Sequence, residues 1–318
     1  MRWRLAVPCL VLALLAGCQT AAPKAARPAP PSPSPVASPT TPSPVASPTP
    51  TTAPPVVVPA GVLAGIAVYD RRSGSYVVQR NLTTRFRSAS LVKLLIALDY
   101  LWNRGPAYTV PGADRARFDV MLRSSDDTAA SYFWHADGAD AIVTRMVGRL
   151  GLQNTAPPSA VGKTGWGSTT LSAADLVRVY RYLLDTAPVP LREDIVGNLE
   201  RSTPCGTDHY DQTFGIPSAF TRPWAVKQGW YGFGDSPEHP CTKGAVAPLP
   251  GPGTVVPAVA TIGVLTGAVL HTTGTVGPDH HAIVVVLTQH PDGTHFADAA
   301  ATLTRLTRAL PVPGGVPA

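Results

Sequence analysis

Between Ser90 and Leu101 the chain reads SLVKLLIALDYL, and from Leu91 to Leu98 every residue but one is apolar. A run that is apolar on nearly every side predicts a helix buried all round, not one lying on a surface. Whatever fold the chain adopts must wrap this segment completely. The exception is Lys93, one turn after Ser90. Burying an ammonium is costly unless it is paired or neutralised. Lys93 therefore has either a buried carboxylate partner or a chemical role.

The compartment is set at the other end of the chain. Arg2 and Arg4 precede a short apolar segment, Ala6 to Ala16, which overlaps the sequence LAGC at Leu15 to Cys18. That segment is too short to span a bilayer and suits the core of a signal peptide. Its ending resembles a bacterial lipobox, which implies that Cys18 becomes the lipidated first residue and anchors the chain to the outer face of the cell membrane. The alternative is an ordinary secretory signal with a chance cysteine. Residues 19–60 are rich in Pro, Ala, Ser and Thr, and PSPVASPT occurs twice. With no apolar face to bury, this segment forms no core and is expected to be a disordered stalk. Polyproline II geometry gives it a reach of roughly 100 Å at ~3.1 Å per residue. Residues 61–318 have globular composition and suffice for one large domain.

With Cys9 in the signal and Cys18 in the lipobox, Cys205 and Cys241 are left. In an exported protein such a pair is most simply a disulfide, the alternative being two buried thiols. The net charge of +6 is scattered, with no Lys/Arg run or interleaved aromatics, so nucleic-acid binding is not expected. His271 and the Asp279-His280-His281 run suggest a metal only weakly. Adjacent strand residues face opposite ways, and no further ligands accompany them, so neither metal nor cofactor is expected.

The order of elements points to an α+β fold. A hairpin is expected from Val62 to about Asn81, followed by the buried helix from Ser90. Polar capping residues at Ser124–Asp127 divide the next helical stretch, a further helix stops at Gly151, and Ser172 to Asp175 opens another with a capping-box pattern. Strands return around Ala225–Trp230, Ala258–Leu270 and Ala282–Gln289, before a last helix at roughly Thr294 to Leu310. This predicts an antiparallel sheet built from both ends of the domain, flanked by helices, with an all-helical lobe inserted.

Ser90-Leu91-Val92-Lys93 is the only S-x-x-K in the chain, which has five lysines. Following a hairpin and opening a buried helix, it resembles the first motif of the penicillin-recognising serine enzymes, the class A β-lactamases and D-alanyl-D-alanine peptidases. Ser125-Asp126-Asp127 stands where the family has S-D-N. A literal K-T-G at Lys163 lies within the helical block, whereas Lys227-Gln228-Gly229 lies on an expected strand, so the third motif is assigned there. The resemblance covers about Gly61 to Leu310. It implies Ser90 as nucleophile, Lys93 as base and Ser125 as proton relay. Lys227, with Gln228, Gly229 and Asp127 beside it, would bind substrate, Lys227 anchoring an anion. The oxyanion would rest on the N–H groups of Ser90 and of a residue just after Gly229.

Several positions depart from the family. Its loop glutamate, which activates the deacylating water, has no counterpart. Between Ser131 and Thr170 the only acids are Asp137 and Asp140. Asp127 replaces an asparagine and would hold Lys93 protonated, and Gln228 replaces a threonine whose hydroxyl helps hold a substrate carboxylate. The expectation is a lipid-anchored envelope protein acting weakly, through an acyl-enzyme, on a D-alanyl peptide, a β-lactam or a related amide or ester. Its partners would be the membrane and either peptidoglycan or a small acyl or amide ligand. The alternatives are a non-catalytic binding lipoprotein that keeps the fold, and a structural wall module that leaves Lys93 unexplained.

Overall fold

The computed structural model describes residues 56–244 and 267–318. The signal, Cys18, nearly all of the expected stalk and most of the strand expected at Ala258–Leu270 lie outside the described residues. The described residues all fall within one unit, Thr52–Ala318.

The hairpin forms as expected, with β1 (Leu63–Asp70) paired antiparallel to β2 (Ser75–Arg80). Strands β5 (Trp224–Tyr231), β6 (Ala268–Val276) and β7 (Ala282–His290) return late in the chain, and β7 pairs with β1. The sheet order is β2-β1-β7-β6-β5, all antiparallel, so the two ends of the domain share one five-stranded sheet. Two residues each from β3 (Phe86–Arg87) and β4 (Thr170–Leu171) make a separate small pair. The β-branched, threonine-rich sequence at 268–276 forms a strand buried along its whole length, which takes in the last residues of the expected strand and runs on to Val276.

One face of the sheet buries Ile66, Val68, Val284 and Val286 against α8 (Phe296–Arg308) and the short α7 (Ile216–Ala219). The other face packs Ala67, Val285 and Leu287 on α5 (Ala173–Arg181) and the helical lobe. At the centre of that lobe is α1 (Lys93–Trp102), with every residue from Lys93 to Leu101 buried. It is surrounded by α2 (Gly112–Arg123), α3 (Asp127–Ala136), α4 (Asp140–Leu150) and α6 (Val189–Glu200). The sequence reading did not anticipate α6.

The expected helix ends are present. Asp126 caps α3 by accepting from Ala129 N at 2.6 Å, Ser172 caps α5 through Asp175 N at 3.2 Å, and Gly151 ends α4 in the left-handed region at φ 62°. Cys205 and Cys241 are joined in a disulfide, with Cα atoms 5.5 Å apart.

Candidate active site

The buried run begins one turn earlier than its helix. Residues Ala89–Val92 form a 3-10 turn that delivers Ser90 to the start of α1, and Lys93 is the first residue of the helix proper. Two residues here hold strained backbone: Ala89, just before Ser90, at φ 45°, and Ser125, in the α2–α3 turn, at φ 57°. For residues other than glycine this costs on the order of 1–3 kcal/mol each and persists only where the surroundings impose it.

Lys93 is completely buried. Its Nζ donates to Ser90 Oγ at 2.9 Å, Ser125 O at 2.5 Å, Ser125 Oγ at 3.2 Å and Asp127 Oδ1 at 2.6 Å. Four oxygens around one amine, one of them a carboxylate, suit an ammonium. Lys227 comes from β5 on the opposite wall and donates to Ser125 Oγ at 2.8 Å and to Gln228 O at 3.1 Å. Its pKa lies well below that of an ordinary lysine, first because burial removes water from the charged form and then because Lys93 is a neighbouring cation. Ser90, Lys93, Ser125, Asp127 and Lys227 thus form one hydrogen-bonded cluster. Lys163 lies in the loop between turns at Pro158–Val161 and Trp166–Ser168, and the lysine that reaches Ser125 from the strand is Lys227.

Gly229 faces Ser90. A Cβ at this position would stand 3.2 Å from Ser88 O and 3.3 Å from Ser90 N, so a side chain would push the strand away from the turn that carries Ser90. Below it in the sheet, Gly229 pairs with His271, whose Nδ1 accepts from Thr288 N at 3.2 Å and whose Nε2 lies 2.8 Å from Arg87 O. Burial pushes His271 down to about 4, so its ring is neutral, and the free Nε2–H donates to the strand just before Ser90. His271 therefore links β7 to β3, with both ring nitrogens engaged. His280 Nδ1 meets Thr275 Oγ1 at 2.9 Å and His281 Nε2 meets Asp70 Oδ1 at 3.1 Å, so the three histidines serve separate partners.

Gln228 is not brought into the cluster. Neighbouring strand residues face opposite ways, and its Nε2 donates to Gln212 O at 3.1 Å and Phe214 O at 2.6 Å. Its side chain, expected among the substrate contacts, is thus turned away from the cluster, and only its backbone carbonyl meets Lys227.

Two residues near the cluster were not singled out from the sequence. The Trp166 ring lies over Lys93, with Nζ 4.7 Å from the ring centroid, and Trp166 Nε1 donates to Ser131 Oγ at 3.1 Å. The loop without a carboxylate therefore puts an indole next to the site. Asp208 accepts from Trp230 Nε1 at 2.8 Å, and burial raises its pKa, helped by the charge on Asp127. The disulfide segment carrying Asp208 is tied to the Ser124–Ser125 turn by Thr207 N donating to Ser124 O at 2.9 Å. A tryptophan in a polar loop is a visible signal, but Asp208 has none in the local sequence. Asp137 O accepts from Arg145 toward the other end of α1, and Asp140 Oδ2 accepts from Ser159 N.

No protein-family model matches the chain. Among solved structures, an ancestral class A β-lactamase superposes with a TM-score of 0.55 at 16% identity, covering 78% of this chain and 93% of its own. A mutant of PBP-A, solved as an acyl-enzyme complex with penicillin G, gives 0.53 at 14% identity, covering 79% and 89%. At these identities the likeness establishes the fold, that of the penicillin-recognising serine enzymes. Among curated sequences, "Putative lipoprotein LppW" of Mycobacterium tuberculosis is 36% identical over 256 residues, spanning 79% of this chain and 70% of the relative. With a β-lactamase-like fold and that identity over most of both sequences, the chain belongs to the LppW lipoprotein family.

Proposed function

We propose that this protein is a lipid-anchored envelope acyltransferase or hydrolase that forms an acyl-enzyme at Ser90 with an amide or ester substrate. The observation that carries the reading is the contact of Lys93 Nζ with both Ser90 Oγ, at 2.9 Å, and Ser125 Oγ, at 3.2 Å. A nucleophile, a base and a relay are then within proton-transfer reach of one another.

Lys93 acts in its uncharged form, which Asp127 at 2.6 Å disfavours, and takes the proton of Ser90. Ser90 Oγ bonds to the acyl carbon, and the bond from that carbon to the leaving nitrogen or oxygen breaks. Ser125 gives its proton to the leaving atom and regains one from Lys93, which is left as the uncharged amine. In net balance one proton moves from Ser90 to the leaving group through Lys93 and Ser125. The N–H groups of Ser90 and Trp230 flank the close approach at Gly229 and would hold the oxyanion. Asp137, whose backbone carbonyl accepts from Arg145 beside Asp99, and Asp140, whose carboxylate accepts from Ser159 N, lie outside the cluster, so water lacks an activating base in the loop and the acyl-enzyme turns over slowly. Residues 1–60 would supply the anchor, through Cys18, and the stalk.

The test is intact-protein mass spectrometry after exposure to benzylpenicillin and to a fluorophosphonate, with Ser90→Ala as control. A single adduct on Ser90 is expected, faint with penicillin. Brisk penicillin hydrolysis would overturn the slow-turnover part. No adduct from either probe on folded protein would favour a binding protein, a reading supported by the four acceptors already holding Lys93.

A further inference from the structure

We infer, on the footing of the acyl-transfer reading, that the group a substrate turns toward Lys227 and Asp127 carries no carboxylate and is instead uncharged or cationic. The argument begins with the strand. An anion bound along β5 needs a donor next to Lys227, and the one polar side chain there, Gln228, is turned away. Its amide donates to the carbonyls of Gln212 and Phe214, and Gln228 Oε1 is buried without a hydrogen-bond partner.

Lys227 itself is a poor anchor for an anion. It is 1% exposed, and its Nζ is directed at Ser125 Oγ and Gln228 O. It also shares Ser125 Oγ with Lys93, which already carries the site's positive charge opposite Asp127. Burial together with that neighbouring cation favours the uncharged amine at Lys227.

The charge that does reach solvent is negative. The Asp127 side chain is 47% exposed, while the lysine paired with it is completely enclosed. The arginines nearest these walls are committed. Arg87 stacks on Tyr231 at 3.4 Å and donates to Ser168 Oγ at 2.7 Å, and Arg123 donates to Asn198 Oδ1 and Asp119 Oδ2. An incoming carboxylate would meet Asp127 with neither of these arginines free to offset it. A neutral amide would not be repelled, and a quaternary ammonium would be attracted by Asp127 and by the indole face of Trp166.

Three phenylacetyl thioesters that differ only in the leaving thiol provide the test: thioglycolate, thioglycolamide and thiocholine. Each transfers the same acyl group to Ser90 and releases a thiol, and the adduct is timed by intact mass. The thioglycolamide and thiocholine esters should acylate Ser90 about tenfold faster than the thioglycolate ester, the ratio expected when one like-charge contact goes uncompensated. Asp127→Asn should narrow that gap. Equal or faster acylation by the thioglycolate ester would overturn the inference and leave the acyl-transfer reading standing. If no ester acylates Ser90, the acyl-transfer reading fails, and charge preference is read instead from binding. The matching non-transferable amides are titrated by tryptophan fluorescence, with Trp166→Phe assigning the signal. Tighter binding of the neutral and cationic ligands would uphold the inference. Equal or tighter binding of the carboxylate, or no binding of any ligand, would sink it.

Discussion

The two ends of α1 carry opposite charges in mirror-image settings. At its start a buried cation, Lys93, pairs with a half-exposed anion, Asp127. Toward its end a buried anion, Asp99, pairs with two partly exposed cations, Arg145 and Arg149, at 2.5 Å and 3.1 Å. Both charges oppose the helix dipole, since a cation sits at the positive end and an anion near the negative end. At Asp99 the opposition is answered in full: Arg145 grips both carboxylate oxygens, and Arg149 and Asn103 add further bonds. Such forked pairs fix geometry and leave nothing to transfer. At Lys93 the partners are two hydroxyls, a carbonyl and one carboxylate oxygen, and the hydroxyls are groups through which protons move. On the proposed acyl-transfer reading the same helix has a structural end and a reactive end, told apart by what surrounds the charge and not by how deeply it is buried.

Substitutions test this contrast. Lys93→Met should reduce Ser90 acylation about a thousandfold, as removal of a general base does. It should leave stability within about 1 kcal/mol of the parent, or raise it, because a buried charge is replaced by an apolar chain of similar size. Acylation that survives would mean the reactive group is not at this end. Asp99→Asn should do the reverse. Loss of about 3 kcal/mol in urea unfolding is expected, with acylation per folded molecule unchanged, and a change below about 1 kcal/mol would remove the structural half of the comparison. Asp127→Asn should raise Ser90 acylation about tenfold by freeing Lys93 from its countercharge, and a decrease would make Asp127 an obligatory proton acceptor.

The subtlest prediction is a slope. The folded-state pKa of Lys227 is depressed, so between that value and the ordinary 10.5 the unfolded chain binds more protons than the folded one. Stability therefore rises with pH across that window, and falls on acidification until the folded amine is itself protonated. The advantage of Lys227→Met over the parent should be absent near pH 10.5 and grow as pH falls. A parent that gains on the variant in acid would contradict the enclosed, uncharged amine.

Much of this architecture was legible because it rests on local rules. The apolar run predicted a helix buried on all sides, the Ser172–Asp175 and Asp126 caps marked helix starts, and the turn between two strand-like segments set β1 against β2. Cys205 and Cys241 could be paired because few other cysteines were left. What was not legible depends on long-range placement. Helix α6 opens with prolines and has no strong apolar stripe, so nothing local announced it. The continuation of β6 to Val276 was not foreseen, because Gly274 and the threonines lack the apolar run that marked the strand's start. Trp166 and Asp208 gain their roles from chain folded over them from elsewhere. The error at Gln228 was avoidable, since the period of a strand separates it from Lys227.

That side chain also bears on how the chain could change. Its amide satisfies the carbonyls of both Gln212 and Phe214. A threonine, the family's residue at this position, is too short to reach both, and two buried acceptors would be left unpaired at about 1–3 kcal/mol each. Restoring the third motif by a single substitution would therefore cost stability before it returned any binding. The neighbouring loop would have to be rebuilt at the same time. The departure is in that sense entrenched: once the loop leaned on Gln228, the path back to an anion-binding strand became a multi-step one.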